Sequence, residues 1–209
     1  MAHAAAAGPQ IYVVTYLEVG APAAAKAAAL LRRMAAASRR QGGNTRYDVL
    51  QEIGRPERFA IVEGWRDKEA FEAHRAEQLS GPRGELRALL ISPFDSRPST
   101  ALTVAPAAAA PPPGALYVLT HVDVVPPAKD QAIALLDQLA AHGRKEDGNL
   151  SFDVLEQDSR PNHFTVVEVW RSQAAFEAHA MAANTREFRQ KLLPLEGALY
   201  DERLYRALE

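Results

Sequence analysis

Two histidines stand in matching surroundings, Ala70-Phe71-Glu72-Ala73-His74 and Ala175-Phe176-Glu177-Ala178-His179. A neutral imidazole accepts a proton near pH 7, so each is a candidate general base. Phe71 precedes His74 by three residues and Ala70 by four, which puts the ring on the packed face of a helix. Phe176 and Ala175 place His179 likewise. A core histidine hydrogen-bonded to backbone fits the same pattern, and both readings stand. Trp65 and Trp170 are either walls that stack on an aromatic ligand or core residues burying a large apolar area. Glu63 and Glu168 share the strand face of the tryptophans, an unexpected place for a carboxylate. Each is a candidate base, or in the first copy the partner of Arg46, a position held by Ser151 in the second.

The elements that must carry these residues occur twice. Tyr12-Val13-Val14-Thr15 returns as Tyr117-Val118-Leu119-Thr120, and Trp65/Trp170 and His74/His179 keep the same step of 105 residues. About half of the aligned pairs from Ile11 to His74 are identical. Two long copies are too few for a solenoid, so a duplicated globular domain is expected. The expected organisation is a flexible tail at 1–9, a first domain at 10–98, an Ala/Pro-rich linker at 99–114 and a second domain at 115–209.

Within each copy the pattern reads strand, helix, strand, strand, helix, strand. Ile11 to Val19 and Leu116 to Val125 are strand-like, and Pro22 and Pro127 open helices. Helix stops are expected near Gly43-Asn44 and Gly148-Asn149, where the asparagines serve the turn. Last strands are expected around Ile91 to Arg97 and Ala198 to Tyr205. On the third strand Phe59, Ile61 and Trp65 oppose Ala60 and Val62, so both faces are apolar rather than one. Helices of one copy cover a single face, which leaves the twin sheet to cover the other. The expected fold is α+β: two tandem ferredoxin-like βαββαβ domains packed sheet to sheet as an intramolecular dimeric α+β barrel.

Composition excludes other classes. The 209 residues carry a net charge of −2 with mixed signs, which gives no footprint for nucleic acid. No long uncharged apolar run suggests a membrane span. There is no cysteine, hence no thiolate chemistry. The Ala-rich start lacks a basic n-region and reads as the tail of a cytoplasmic protein or as the mature start of a periplasmic one.

The chain resembles the antibiotic biosynthesis monooxygenase family. The resemblance rests on Asn44-x-x-Tyr47-Asp48-Val49-Leu50, Arg55-Pro56-x-x-Phe59 and Val62-Glu63-x-Trp65-x-x-x-x-Ala70-Phe71-x-Ala73-His74, matched in the second copy from Asn149 to His179. It implies a pocket between the sheet and helices of each copy, and oxidation of quinol-like or polycyclic aromatic substrates by dioxygen without metal or flavin. On that basis the expected activity is that of a cofactor-independent monooxygenase, with a small aromatic substrate and dioxygen as partners. His74 and His179 would be catalytic, and Trp65, Trp170, Thr15, Thr120, Tyr47, Phe152, Phe71 and Phe176 would bind substrate. Thr15 and Thr120 match a pocket-facing polar position of haem-degrading relatives, although threonine is also simply a good strand residue. Those relatives place their haem ligand near Gly84 and Arg189 here, which cannot ligate iron, so no cofactor is expected. The alternative is a non-catalytic small-molecule-binding or structural barrel, with a further homodimer as an added state. The copies differ at Tyr47/Phe152 and Tyr16/His121. If the phenol of Tyr47 matters, the first copy is the competent one.

Overall fold

The computed structural model describes residues 10–77, 82–105 and 111–208. The expected tail at 1–9 and the linker residues 106–110 lie outside the described residues. Among the described residues, no helix is long and apolar enough to cross a membrane. The chain divides into two compact units. The first takes in the described residues up to Thr100 together with Leu208, and the second runs from Ala101 to Ala207.

The first unit contains strands β1 (Ile11–Glu18), β2 (Asn44–Glu52), β3 (Arg58–Trp65) and the larger part of β4 (Asp95–Thr103), with helices α1 (Ala24–Ser38), α2 (Lys68–Glu77) and α3 (Pro82–Arg87). The strands pair antiparallel in the order β4-β1-β3-β2, with Thr15 opposite Ile61 and Tyr47 opposite Glu63. The second unit repeats the plan with β5 (Leu116–Asp123), α4 (Lys129–Gly143), β6 (Asn149–Gln157), β7 (His163–Trp170), α5 (Gln173–Met181), α6 (Ala183–Leu192) and β8 (Asp201–Ala207). Its strand order is β8-β5-β7-β6. Each unit is thus a βαββαβ ferredoxin-like α+β domain with an added helix.

Side-chain periodicity explains the packing. Ala27, Leu30, Leu31 and Met34 of α1 form one stripe, and they share a core with Val13, Val49, Phe59, Ile61 and Trp65 from one sheet face. In the second unit Leu136, Leu139 and Ala140 meet Val118, Val154, Phe164, Val166 and Trp170. Every residue from Phe59 to Trp65 is buried, including Ala60 and Val62 of the opposite face. The two-sided apolar pattern of β3 therefore corresponds to a strand buried on both sides.

Three expectations about boundaries need correction. The last strands begin later than expected, at Asp95 and Asp201, because the chain first makes bridges at Val19–Leu90 and Val124–Glu196 before entering the sheet. The linker expected from residue 99 starts too early: β4 continues through Thr103, where Leu102 packs on the second core and the Thr103 hydroxyl accepts from Arg144 at 2.9 Å. Its small residues look like linker composition, yet Ser99 is buried. The first helices stop at Ser38 and Gly143, before the expected glycines. Gly43 and Gly148 instead adopt φ of 86° and 85° in the turns that lead into β2 and β6. A Cβ at either would lie 2.6 Å from the Cβ of Ala70 or Ala175, so the turn also needs glycine for close approach. Asn44 then starts β2 at a bulge and donates to the carbonyls of Arg46 (3.0 Å) and Gly64 (3.3 Å).

Candidate active site

Alternation along β3 aims Glu63 and Trp65 at the helices, and register places Tyr47 of β2 beside Glu63. From α2, His74 lays its ring on Trp65, with centroids 4.4 Å apart and planes 30° apart. The Tyr47 ring meets the imidazole edge-on at 5.7 Å. The Trp65 indole N–H donates to Glu63 Oε2 at 3.0 Å. His74 Nε2 lies 3.3 Å from that same oxygen but is not aligned to hydrogen-bond with it, and it has no other hydrogen-bond partner among the described residues. On the far side of the ring, Nδ1 meets Gln41 Oε1 at 2.6 Å. The amide oxygen only accepts, so Nδ1 carries the hydrogen and a neutral His74 keeps its lone pair on Nε2. The amide nitrogen of Gln41 is tied in turn to Glu77.

The second unit rebuilds the array. Trp170 donates to Glu168 Oε2 at 2.7 Å, and the His179 ring lies 4.8 Å from the Trp170 ring and 5.8 Å from Phe152. Phe176 is 6.4 Å from the imidazole centroid. His179 Nε2 is 3.7 Å from Glu168 Oε2, longer than a hydrogen bond. The other side differs in kind: Nδ1 is 2.9 Å from the Glu146 carboxylate and 3.4 Å from the Thr185 hydroxyl. Asn184 steadies the second Glu146 oxygen at 3.3 Å.

Burial sets the electrostatics. It pushes the Glu168 carboxyl up to about 8, against the lowering hydrogen bond from Trp170, and Glu202 raises it further. Burial also lowers His179, while the Glu146 charge and hydrogen bond raise it and Arg189 lowers it. The Tyr47 phenol is pushed well up by burial and then by Glu63. Its hydroxyl lies close to Ser38 but makes no aligned hydrogen bond among the described residues. The second copy replaces this pair by Phe152 and Gly143, where a Cβ on Gly143 would come 2.6 Å from the Phe152 ring. The polar Ser38–Tyr47 pair and the apolar Gly143–Phe152 pair are thus alternative fillings of one space.

The expected residues do not all converge. His74, Trp65 and Tyr47 form one cluster, as do His179, Trp170, Phe152 and Phe176, whereas Phe71 packs in the first core with Arg75 over its ring at 5.7 Å. Thr15 is turned to β4, where its hydroxyl meets Ser96 at 3.0 Å. Thr120 is buried with no hydrogen-bond partner among the described residues and lies opposite Glu202 in register. Glu63 does not pair with Arg46. Alternation sends Arg46 to the other sheet face, where it bonds Asp48 at 2.6 Å. The Tyr16/His121 difference also lies on that other face, with Arg97 over the Tyr16 ring and Thr165 near His121, so it does not touch the imidazole sites. Gln41 and Glu146 escaped the sequence reading because they sit 33 residues from their histidines in a polar turn; the Gln/Glu mismatch between copies was the only trace. An open surface groove of about 520 Å³ lies elsewhere in the first unit, lined by Arg83, Arg87, Leu90, Ile91 and Phe94 among others. A small cleft of about 60 Å³ between α4 and α6 is lined in part by His142, Asn184 and Phe188.

A βαββαβ unit that buries a histidine between its sheet and helices, used twice in one chain, defines the class. The chain belongs to the antibiotic biosynthesis monooxygenase family, whose sequence model matches residues 10–79 and 115–191. Among curated relatives, an uncharacterised Synechocystis protein, sll1783, is 29% identical over 45% of this chain and 64% of its own length. The "Putative monooxygenase YcnE" of Bacillus subtilis is 28% identical over 35% of this chain and 77% of its own length. A solved structure described as an anthrone oxidase-like protein superposes with a TM-score of 0.73 at 15% identity, covering 96% of this chain and 92% of that one. At that identity the likeness bears on fold alone.

Proposed function

We propose that the chain is a cofactor-independent monooxygenase that oxidises a quinol-like or polycyclic aromatic substrate with dioxygen. The observation that carries this reading is the repeated placement of a histidine whose Nδ1 is held and whose Nε2 makes no aligned hydrogen bond to the buried carboxyl beside it, stacked on a tryptophan. Such a nitrogen suits the acceptance of a substrate proton. Family membership and the YcnE name support oxygen chemistry, and the anthrone oxidase-like neighbour, alike in fold alone, names a substrate class to test.

For an anthrone, Nε2 of His74 or His179 takes a proton from the ring methylene, leaving a delocalised carbanion. The carbanion passes one electron to dioxygen, and the radicals combine to a peroxide on that carbon. Loss of the second methylene proton with cleavage of the O–O bond gives the quinone, and the departing hydroxide takes the histidine's proton as water. One anthrone and one dioxygen give one anthraquinone and one water. Trp65, Trp170, Tyr47, Phe152 and Phe176 serve as the apolar wall, and Thr120 supplies a hydroxyl for the oxyanion.

A second reading, a non-catalytic binding or structural domain, is favoured by the packing: His74 and His179 are each only 2% exposed. Substrate reaches Nε2 only if neighbouring side chains move. Oxygen uptake with anthrones and quinols, using isotopically labelled dioxygen, separates the two readings. Consumption with one label in the quinone and one in water supports the oxygenase. Tight binding of an anthraquinone without oxygen consumption supports the second reading.

A further inference from the structure

The two copies share a histidine, a tryptophan and a glutamate but differ at one contact. Gln41 and Glu146 occupy corresponding positions, each against Nδ1 of its histidine. An amide oxygen accepts a hydrogen bond but takes no proton at neutral pH, whereas a carboxylate does both. Glu146 also reaches solvent: its side chain is 24% exposed while that of His179 is 3% exposed. Asn184, which holds its second oxygen, lines the small cleft between α4 and α6.

We propose that Glu146 is the counter-charge that holds the imidazolium of the second copy, so that His179 is the stronger base of the two. This rests on the proposed oxygenase reading for its kinetic part only. A proton taken up at Nε2 makes the ring an imidazolium, whose Nδ1–H the Glu146 carboxylate holds until the departing hydroxide takes the Nε2 proton away as water. In the first copy the Gln41 amide accepts the same N–H but brings no charge.

Other groups facing His179 do not replace Glu146. Glu168 from β7 faces Nε2, not Nδ1, and burial keeps it in the acid form at neutral pH. Arg189 from α6 opposes a charged ring and is engaged with Glu202 at 2.9 Å. Thr185 from α6 approaches Nδ1 at 3.4 Å but is neutral. Around His74 the charged neighbours are Glu63 at Nε2 and Glu77 behind Gln41. Glu146 acts through His179 and is therefore a positioning residue.

The exchange variants Glu146→Gln and Gln41→Glu test the assignment. Imidazole nitrogen NMR of the ligand-free full chain reads each histidine directly, whatever the substrate. Glu146→Gln is expected to lower the His179 midpoint by about one pH unit, and Gln41→Glu to raise that of His74 by about as much. In oxygen uptake, Glu146→Gln is expected to lower kcat about tenfold with KM unchanged, with Glu146→Asp largely active. A His179 midpoint unmoved by Glu146→Gln, or an unchanged kcat in that variant, overturns the assignment. Absence of oxygen uptake in the wild-type chain overturns the oxygenase reading instead, and the NMR midpoints still decide the role of Glu146.

Discussion

The indole N–H of Trp170 donates to the carboxyl of Glu168 two residues earlier on the same strand, at 2.7 Å, with both side chains buried. A single donor does not offset the loss of water around a carboxylate, and the group titrates at about 8 rather than near 4.5. Between those values the folded chain holds a proton that the unfolded chain has lost. Stability from this group is therefore complete below about 4.5 and is lost as pH rises through about 8, with a limiting slope of about 1.4 kcal/mol per pH unit. Urea unfolding of wild type and Glu168→Gln between pH 5 and 9 checks this. The glutamine variant is expected to lose that slope and to gain on wild type at the alkaline end; parallel profiles would refute the assignment.

Removing the indole donor isolates its contribution. Trp170→Phe keeps most of the apolar volume but leaves the Glu168 carboxyl without its aligned N–H, and Trp65→Phe does the same for Glu63. Each is expected to lower stability by about 1–3 kcal/mol in denaturant unfolding. A change below about 0.5 kcal/mol would show that the indoles contribute only by packing.

The alternative fillings of the space beside the imidazole make an asymmetric pair of predictions. Tyr47→Phe deletes a buried hydroxyl that has no aligned partner among the described residues, so stability is expected to hold or rise by up to about 1 kcal/mol. Gly143→Ser forces a Cβ to 2.6 Å from the Phe152 ring and is expected to lower stability by about 1–3 kcal/mol. Thermal unfolding of both variants reads the contrast, and a destabilised Tyr47→Phe would contradict it.

The backbone turn gives a sharper test of fold. Gly148→Ala meets both a left-handed φ of 85° and an Ala175 Cβ 2.6 Å away. A loss above about 1 kcal/mol is expected, larger than the same change at Gly84, where nothing lies within 4 Å of the added Cβ. Equal effects at the two positions would mean that the turn relaxes freely.

Much of this was legible in the sequence, and the reasons are particular. The step from Trp65 to Trp170 exposed the duplication, and the alternating apolar residues of Phe59–Trp65 identified a strand buried on both faces. Helix spacing put His74 on the face that meets Trp65. The rest depended on contacts distant in sequence. Glu63 stands out in the sequence as a carboxylate on an apolar strand face, but its hydrogen bond from the Trp65 indole and its position beside His74 follow from strand direction and helix docking together. Gln41 reaches His74 only because the turn after α1 folds back over α2, a path that no local pattern encodes. The extension of β4 past Pro98 was hidden because its serines, threonines and alanines look like the linker that follows.

The central claim is that the two buried imidazoles accept the substrate's proton. Initial rates of oxygen uptake with an anthrone at pH 7 test it most directly, comparing wild type with the His74→Ala/His179→Ala double variant. The account predicts a loss of about a hundredfold or more in kcat, the usual scale of a missing general base. A double variant that consumes oxygen at the wild-type rate would contradict it.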